Sequence, residues 1–300
     1  MITVKEILDF LDSMGVVYDF FGNEQTQIEG FSTLKNYKAN TVTWAKNEKA
    51  YNFSFEDKLL VIAQDGLQVA AQNVVSTKQS KQAFFALVEY MAEKDVEKGD
   101  VQNAIGKGTF IGKNVKLGKN VTIGSNCVID GDIVIGDKSK IWHNVTIMNR
   151  VNIGKNCEIQ SGCVIGHDGF AWNEDENHVK TMIRHFGGVE IKDDTYIGPN
   201  CIIDRGEIDF TTIGKGNKID GNCFIAHNVV TGENSIMITG TRLYGSSELG
   251  DNAYVASATV RNQCKIGENT FVGMGAVVVN DIPSNVVAAG VPAKIITKEK

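Results

Sequence analysis

Five histidines, His143, His167, His178, His185 and His227, are the side chains of this 300-residue sequence that titrate near neutral pH. His227 stands in the run Cys223-Phe-Ile-Ala-His-Asn-Val-Val, two residues after an isoleucine of a long periodic series. That phase places it at the exposed edge of a rigid element, beside a groove. A neutral imidazole there suits a general base, which takes the proton from a nucleophile as it attacks. A histidine capping a corner of the backbone would occupy the same position, and residue type and phase do not separate the two. The six cysteines show a different pattern. Cys127, Cys157, Cys163, Cys201, Cys223 and Cys264 each lie four positions after an aliphatic landmark, a slot also filled by Thr109, Ser139, Val145 and Ala276. Small inward side chains fit such a slot, so structural thiols in a reducing compartment are expected. No CxxC spacing occurs.

The element that must position His227 is set by the periodic series. From Ile105 through Ile111, Leu117 and Ile123 to Ile165, an aliphatic residue falls on every sixth position. Six matches neither the 3.6-residue period of a helix nor the two-residue period of a strand, and it implies a parallel β-helix with one flat face per hexapeptide. Glycine directly follows at Gly106, Gly112, Gly118, Gly124, Gly136, Gly154 and Gly166. These glycines are expected to relieve crowding at corners and to permit unusual φ values. The repeat breaks after Ile165, gains four residues between Ile203 and Ile213, and shortens by one between Val255 and Val260. About 26 hexads, three to a coil, give eight or nine coils. The fold class is mainly β: a left-handed parallel β-helix preceded by a small α/β domain. Left-handedness and a homotrimer are what the resemblance to hexapeptide-repeat proteins implies.

The expected domains are an α/β nucleotide-binding domain at 1–98, the β-helix at 99–291 with an excursion loop at 167–188, and a tail at 292–300. In the first, Thr3 and Glu6 form a capping box and Gly15 ends the helix that follows. Strands are expected at Thr41–Lys46, Lys58–Gln64 and Gln72–Thr77. A second helix is expected from about Lys78 to Lys94, with an apolar face of Phe84, Phe85, Leu87, Val88 and Met91. Glu93–Asp100 reads as a charged linker. Net charge is −6, which gives no electrostatic case for nucleic acid or an anionic membrane. No apolar run approaches the roughly 20 residues that span a bilayer, and the spacing of Val4, Ile7, Leu8 and Leu11 is not that of a signal peptide. A cytoplasmic protein without integral membrane contact is expected.

Three-histidine zinc sites occur on this fold in gamma-class carbonic anhydrases, where two histidines lie five residues apart on one coil. No such pair occurs in this sequence, so no metal is expected. A different resemblance is closer. Ile165-Gly-His-Asp-Gly-Phe, Ile203-Asp-Arg-Gly, Ile219-Asp-Gly-Asn-Cys and Ile225-Ala-His-Asn-Val-Val resemble, in order and spacing, the UDP-3-O-acyl-glucosamine N-acyltransferases of lipid A synthesis. The resemblance extends weakly into Ile28-Glu-Gly-Phe-Ser and Asn40-Thr-Val-Thr-Trp-Ala-Lys-Asn. It implies that His227 is the base and that the backbone N–H of Gly245 holds the oxyanion, an interaction that contributes a few kcal/mol. It also implies that His167, Asp168, Phe170 and Trp172 shape a pocket and that Asp220, Asn222 and Asn228 bind sugar. Corner hydrogen bonding is the competing account of the two asparagines. Trp44 and, with a one-residue shift, Tyr51 would sandwich the nucleotide base. Core packing is the competing account of Trp44.

Two departures bear on the substrate. Near Gln263 the family has a second histidine. In place of the family's helical tail stands Ala289-Gly-Val-Pro-Ala-Lys, which resembles the close of coenzyme A-dependent hexapeptide sugar acetyltransferases. That resemblance implies coenzyme contacts at Met274, Gly290 and Lys294. The expected activity is acyl transfer from acyl-CoA to the amine of a UDP- or dTDP-linked amino sugar for surface polysaccharide. The alternatives are a lipid A enzyme that uses a 3-hydroxyacyl carrier protein and a non-catalytic nucleotide-sugar-binding β-helix.

Overall fold

The computed structural model describes residues 1–47, 59–94 and 103–298. It divides into two compact units, Met1–Gly99 and Asp100–Lys300. Among the described residues no helix is long and apolar enough to cross a membrane.

The first unit is built on five strands in the order Asp19–Phe21, Asn73–Thr77, Leu60–Gln64, Thr41–Ala45, Gly30–Phe31. The last four pair in parallel and the first runs antiparallel. The Thr3–Glu6 capping box is present and starts a helix over Val4–Ser13 that buries Val4, Ile7, Leu8 and Leu11. Gly15 follows at φ +69, a left-handed conformation that glycine adopts without a Cβ penalty. A second helix covers Ser80–Lys94 and buries Ala83, Phe84, Leu87 and Met91. Phe85, expected on that apolar face, is instead exposed. The short strands at Asp19–Phe21, Gln27–Ile28 and Gly30–Phe31 carry too few residues for an alternating pattern to announce them. Most of the expected linker, Glu93–Asp100, lies outside the described residues.

The second unit is a parallel β-helix. In one wall Ile105, Ile123, Ile141, Ile159, Ile197, Ile219, Met237, Val255, Val272 and Ala288 stack in register. Ten layers in a wall are joined by nine turns, at the upper end of the eight or nine coils that the hexads imply. In another wall Ile111, Ile129, Ile147, Ile165, Ile203, Ile225, Leu243, Val260 and Val278 do the same. Backbone groups of successive coils pair along the stack, and from Ile123 onward these aliphatics form one continuous buried core. All six cysteines are free and buried, as their phase implies.

The glycines after the aliphatics behave differently from the expectation. At Gly106, Gly112, Gly118, Gly124, Gly136 and Gly154 φ is not positive, and only Gly166 is left-handed, at φ 88. The left-handed corners are held by asparagines, among them Asn126 at φ 57, Asn144 at φ 57, Asn222 at φ 57 and Asn228 at φ 60. Asparagine tolerates this region because its short polar side chain bonds locally. The glycines are required by proximity instead. A Cβ on Gly136 would lie 2.5 Å from the carbonyl oxygen of Gly154 on the next coil. Gly136→Ala is therefore expected to cost about 2–3 kcal/mol by overpacking, read as a lower urea midpoint.

Candidate active site

His227 is fixed by its coil before its side chain makes any contact. Ile225 is buried in the core, and the Ala226 N–H donates to the Leu243 carbonyl at 2.9 Å. The His227 carbonyl accepts from the Ser246 N–H at 2.9 Å, and the Asn228 N–H donates to Thr211 Oγ1 at 2.9 Å. The imidazole thus projects from a backbone tied on both sides.

Its tautomer follows from its neighbours. Asn228 Oδ1 accepts from the Glu207 backbone N–H at 3.1 Å, which identifies that atom as the oxygen. The same oxygen lies 3.1 Å from His227 Nδ1, so Nδ1 carries the proton in the neutral ring. Glu207 Oε1 stands 3.9 Å from Nδ1. Nε2 keeps its lone pair and faces Gly245, where a Cβ would come within 2.7 Å of it. The Gly245 backbone N–H makes no hydrogen bond among the described residues. A proton acceptor and a free N–H donor therefore stand side by side at the edge of a 430 Å³ pocket. Phe170, Asp204, Phe224 and Tyr244 also line it.

The excursion loop closes one side. Asp168 Oδ1 accepts from Arg205 Nε at 2.7 Å and lies 2.6 Å from Nη2. Burial works against the Asp168 carboxylate, but Arg205 and the His185 N–H together hold its pKa below the ordinary value. On the return leg the Phe186 N–H donates to the Glu207 carbonyl at 2.7 Å, which seats His185 beside the base. The His185 and His227 rings meet edge to face, 5.2 Å between centroids. Phe170 lines the pocket, and Trp172 tilts against it at 5.3 Å. His167 is partly exposed, with Nε2 3.2 Å from Asp204 Oδ1.

The site also holds residues that were not among the expected ones, and three of them, Asp204, Glu207 and His185, carry titratable groups beside the base. Asp204 directly follows the buried Ile203, in the phase that holds Ala226 one coil on, and a carboxyl at that phase was a readable signal. Asp204 is 2% exposed, and burial raises its pKa to about 6, opposed by His167 and His227. A carboxyl whose folded pKa exceeds its unfolded value of about 3.9 destabilises the fold where it is ionised. That penalty is absent at low pH, grows as pH rises from about 4 to 6, and is complete above. Asp204→Asn is therefore expected to gain on the order of 2 kcal/mol of stability relative to wild type between about pH 4 and pH 7.5, measured by urea unfolding at both.

Several expected contacts lie elsewhere. Asp220 accepts from Thr239 Oγ1 at 2.6 Å and the Gly221 N–H at 2.7 Å, so it ties two coils together rather than lining this pocket. Asn222 is an exposed left-handed corner and Asn228 a half-buried one that orients the base. Met274, 80% exposed, Gly290, at φ +98, and Lys294 belong to later coils and do not line the His227 pocket. Gln263 does line it. In the first unit, Trp44 donates its indole N–H to Ser80 Oγ at 3.1 Å and stacks on Phe84 at 6.3 Å, as the packing account requires. Tyr51 lies outside the described residues.

Residues 104–131 and 132–167 match the bacterial transferase hexapeptide (six repeats) family. A UDP-3-O-acylglucosamine N-acyltransferase of Caulobacter sp. is 36% identical over 109 residues, 36% of this chain and 32% of that protein. Its counterpart in Geobacter sp. is 44% identical over 85 residues, 28% of this chain and 24% of that protein. The chain thus spans about a third or less of the length of these relatives. Among solved structures, the UDP-N-acetylglucosamine acyltransferase of Bacteroides fragilis is similar at a TM-score of 0.55 and 28% identity, over 62% of this chain and 71% of that one. The Francisella novicida enzyme gives 0.58 and 25%, over 63% and 68%. The second unit has their left-handed β-helix fold.

Proposed function

We propose that this hexapeptide-repeat chain is an N-acyltransferase that moves an acyl group from a thioester to the amine of a nucleotide-linked amino sugar. The observation that carries this reading is that His227 Nε2 faces Gly245, whose backbone N–H is free among the described residues, at the pocket edge. The amine nitrogen attacks the thioester carbonyl, and His227 Nε2 takes the amine proton. Charge that develops on the carbonyl oxygen is met by the Gly245 N–H. The C–S bond then breaks, the amide forms, and the leaving sulfur receives the proton from His227. Glu207 and Asn228 steady the imidazolium between these steps.

The names of the relatives support a UDP-linked glucosamine derivative as acceptor, as in lipid A synthesis, over a deoxyamino sugar of surface polysaccharide. The Ala289–Lys294 ending supports acyl-CoA as donor, and an acyl carrier protein is the alternative. Met274, Gly290 and Lys294 are the proposed coenzyme contacts. Phe110, Val128 and Ile202 are exposed along one wall, in a register that Thr146, Val164 and Phe224 share and Arg242 follows. A flat wall with exposed apolar side chains favours packing on like walls, and a homotrimer closes it. Thiol release should be followed with acyl-CoA or acyl carrier protein against UDP- and dTDP-amino sugars. Release that needs the amine supports acyl transfer, whereas tight sugar binding with no release on any pair supports the non-catalytic binding module.

A further inference from the structure

Beside the base, two groups that acyl transfer uses, Glu207 and His227, meet a third that it does not, His185. The ligand atoms of His185, Glu207 and His227 all fall within 4.8 Å of one another. Spacing along single coils did not foretell this, because His185 arrives from the return leg of the excursion loop. His185 is fully buried, and neither ring nitrogen has a hydrogen-bond partner among the described residues. A buried polar group without a partner costs free energy, which a ligand at the ring would offset. Gly169 keeps that space clear. A Cβ there would lie 2.9 Å from both His185 Nε2 and His227 Cδ2, so the two rings flank a cradle that only glycine leaves open.

We propose that His185, Glu207 and His227 bind a divalent ion of the zinc class, and that the bound ion shuts off the base. Two imidazoles and one carboxylate are a donor set that suits Zn²⁺ and not Mg²⁺, which prefers oxygen ligands. Tetrahedral zinc with bonds of 2.0–2.1 Å places its ligands about 3.4 Å apart, so the three groups need close only slightly. The Glu207 side chain is 46% exposed and the His227 side chain 21%, so both retain room to move and the ion has a route in. An ion on the Glu207 side takes the place of the Nδ1 proton, the neutral ring then carries its proton on Nε2, and that nitrogen no longer accepts the amine proton. A cluster built for binding at one nitrogen thereby becomes a reversible inhibitory site.

The inhibitory half rests on the acyl-transfer reading, whereas the binding half does not. Zn²⁺ binding to the full chain should be measured by equilibrium dialysis, with Co²⁺ absorption as a geometric readout. Expected are about one ion per chain, tetrahedral Co²⁺ bands, and binding at least about tenfold weaker in Glu207→Gln and in His185→Asn. Glu207→Gln alters a half-exposed side chain, so its result stands even if His185→Asn fails to fold. Saturating Zn²⁺ should abolish thiol release, and a chelator should restore it. Binding that is undetectable at micromolar Zn²⁺, or unchanged in Glu207→Gln, overturns the site. Site-dependent binding in a chain that turns over no thioester leaves the site standing and removes the acyl-transfer reading instead.

Discussion

His227→Ala is expected to lower the rate of acyl transfer by about 10²- to 10⁴-fold, with little change in the substrate concentration at half-saturation. The loss falls on the chemical step because the imidazole acts on the amine proton as the C–N bond forms. Binding of the nucleotide sugar draws on other groups. The fold should tolerate the change, since the backbone of His227 is held by Ala226, Ser246 and Asn228 independently of the ring. Circular dichroism and a urea titration would separate a lost base from a lost fold. A variant that keeps wild-type turnover would mean that His227 only caps a corner.

The second large effect is steric and concerns Gly245. Its φ is not in the left-handed region, so alanine meets no backbone strain there. The added Cβ, however, would stand 2.7 Å from His227 Nε2 and 2.8 Å from Cε1. The imidazole must give way on the side where the amine approaches, and a displacement of about 1 Å costs on the order of 10²-fold in rate. Gly245→Ala should therefore lose turnover nearly as fully as the histidine variant while it unfolds at a similar urea concentration. Gly136→Ala makes the contrast: there the added Cβ meets the backbone of the next coil, and the loss appears in stability rather than rate.

The coils were readable because the aliphatic beat from Ile105 to Ile165 never misses, and a period of six suits neither a helix nor a free strand. His227 was readable because it stands two residues after Ile225, at the edge of a coil. What sequence spacing could not convey is what the breaks in the period bring together. His185 is 42 residues from His227 in sequence and touches it only because the loop turns back through Phe186 against Glu207. Asp204 and Glu207 become neighbours of the base through the parallel stacking of Ile203 on Ile225. Conversely, Asp220 and Asn222 sit near His227 in sequence but turn a corner away from the pocket. In a β-helix six residues can change the wall, so nearness in sequence is a poor guide to sharing a site. The corner asparagines illustrate the same limit: left-handed φ falls to Asn126, Asn144 and Asn222, while the glycines serve close approach between coils.

Joint action of His227 and Gly245 in acyl transfer to a sugar amine is tested most directly by mass spectrometry of the sugar product. Wild type, His227→Ala and Gly245→Ala should be incubated side by side with one thioester and a UDP-linked amino sugar. Wild type is expected to add one acyl mass, in amide linkage, and both variants to leave the amine largely unmodified over the same interval. Equal amide product from all three proteins, or an ester in place of the amide, would contradict the assignment.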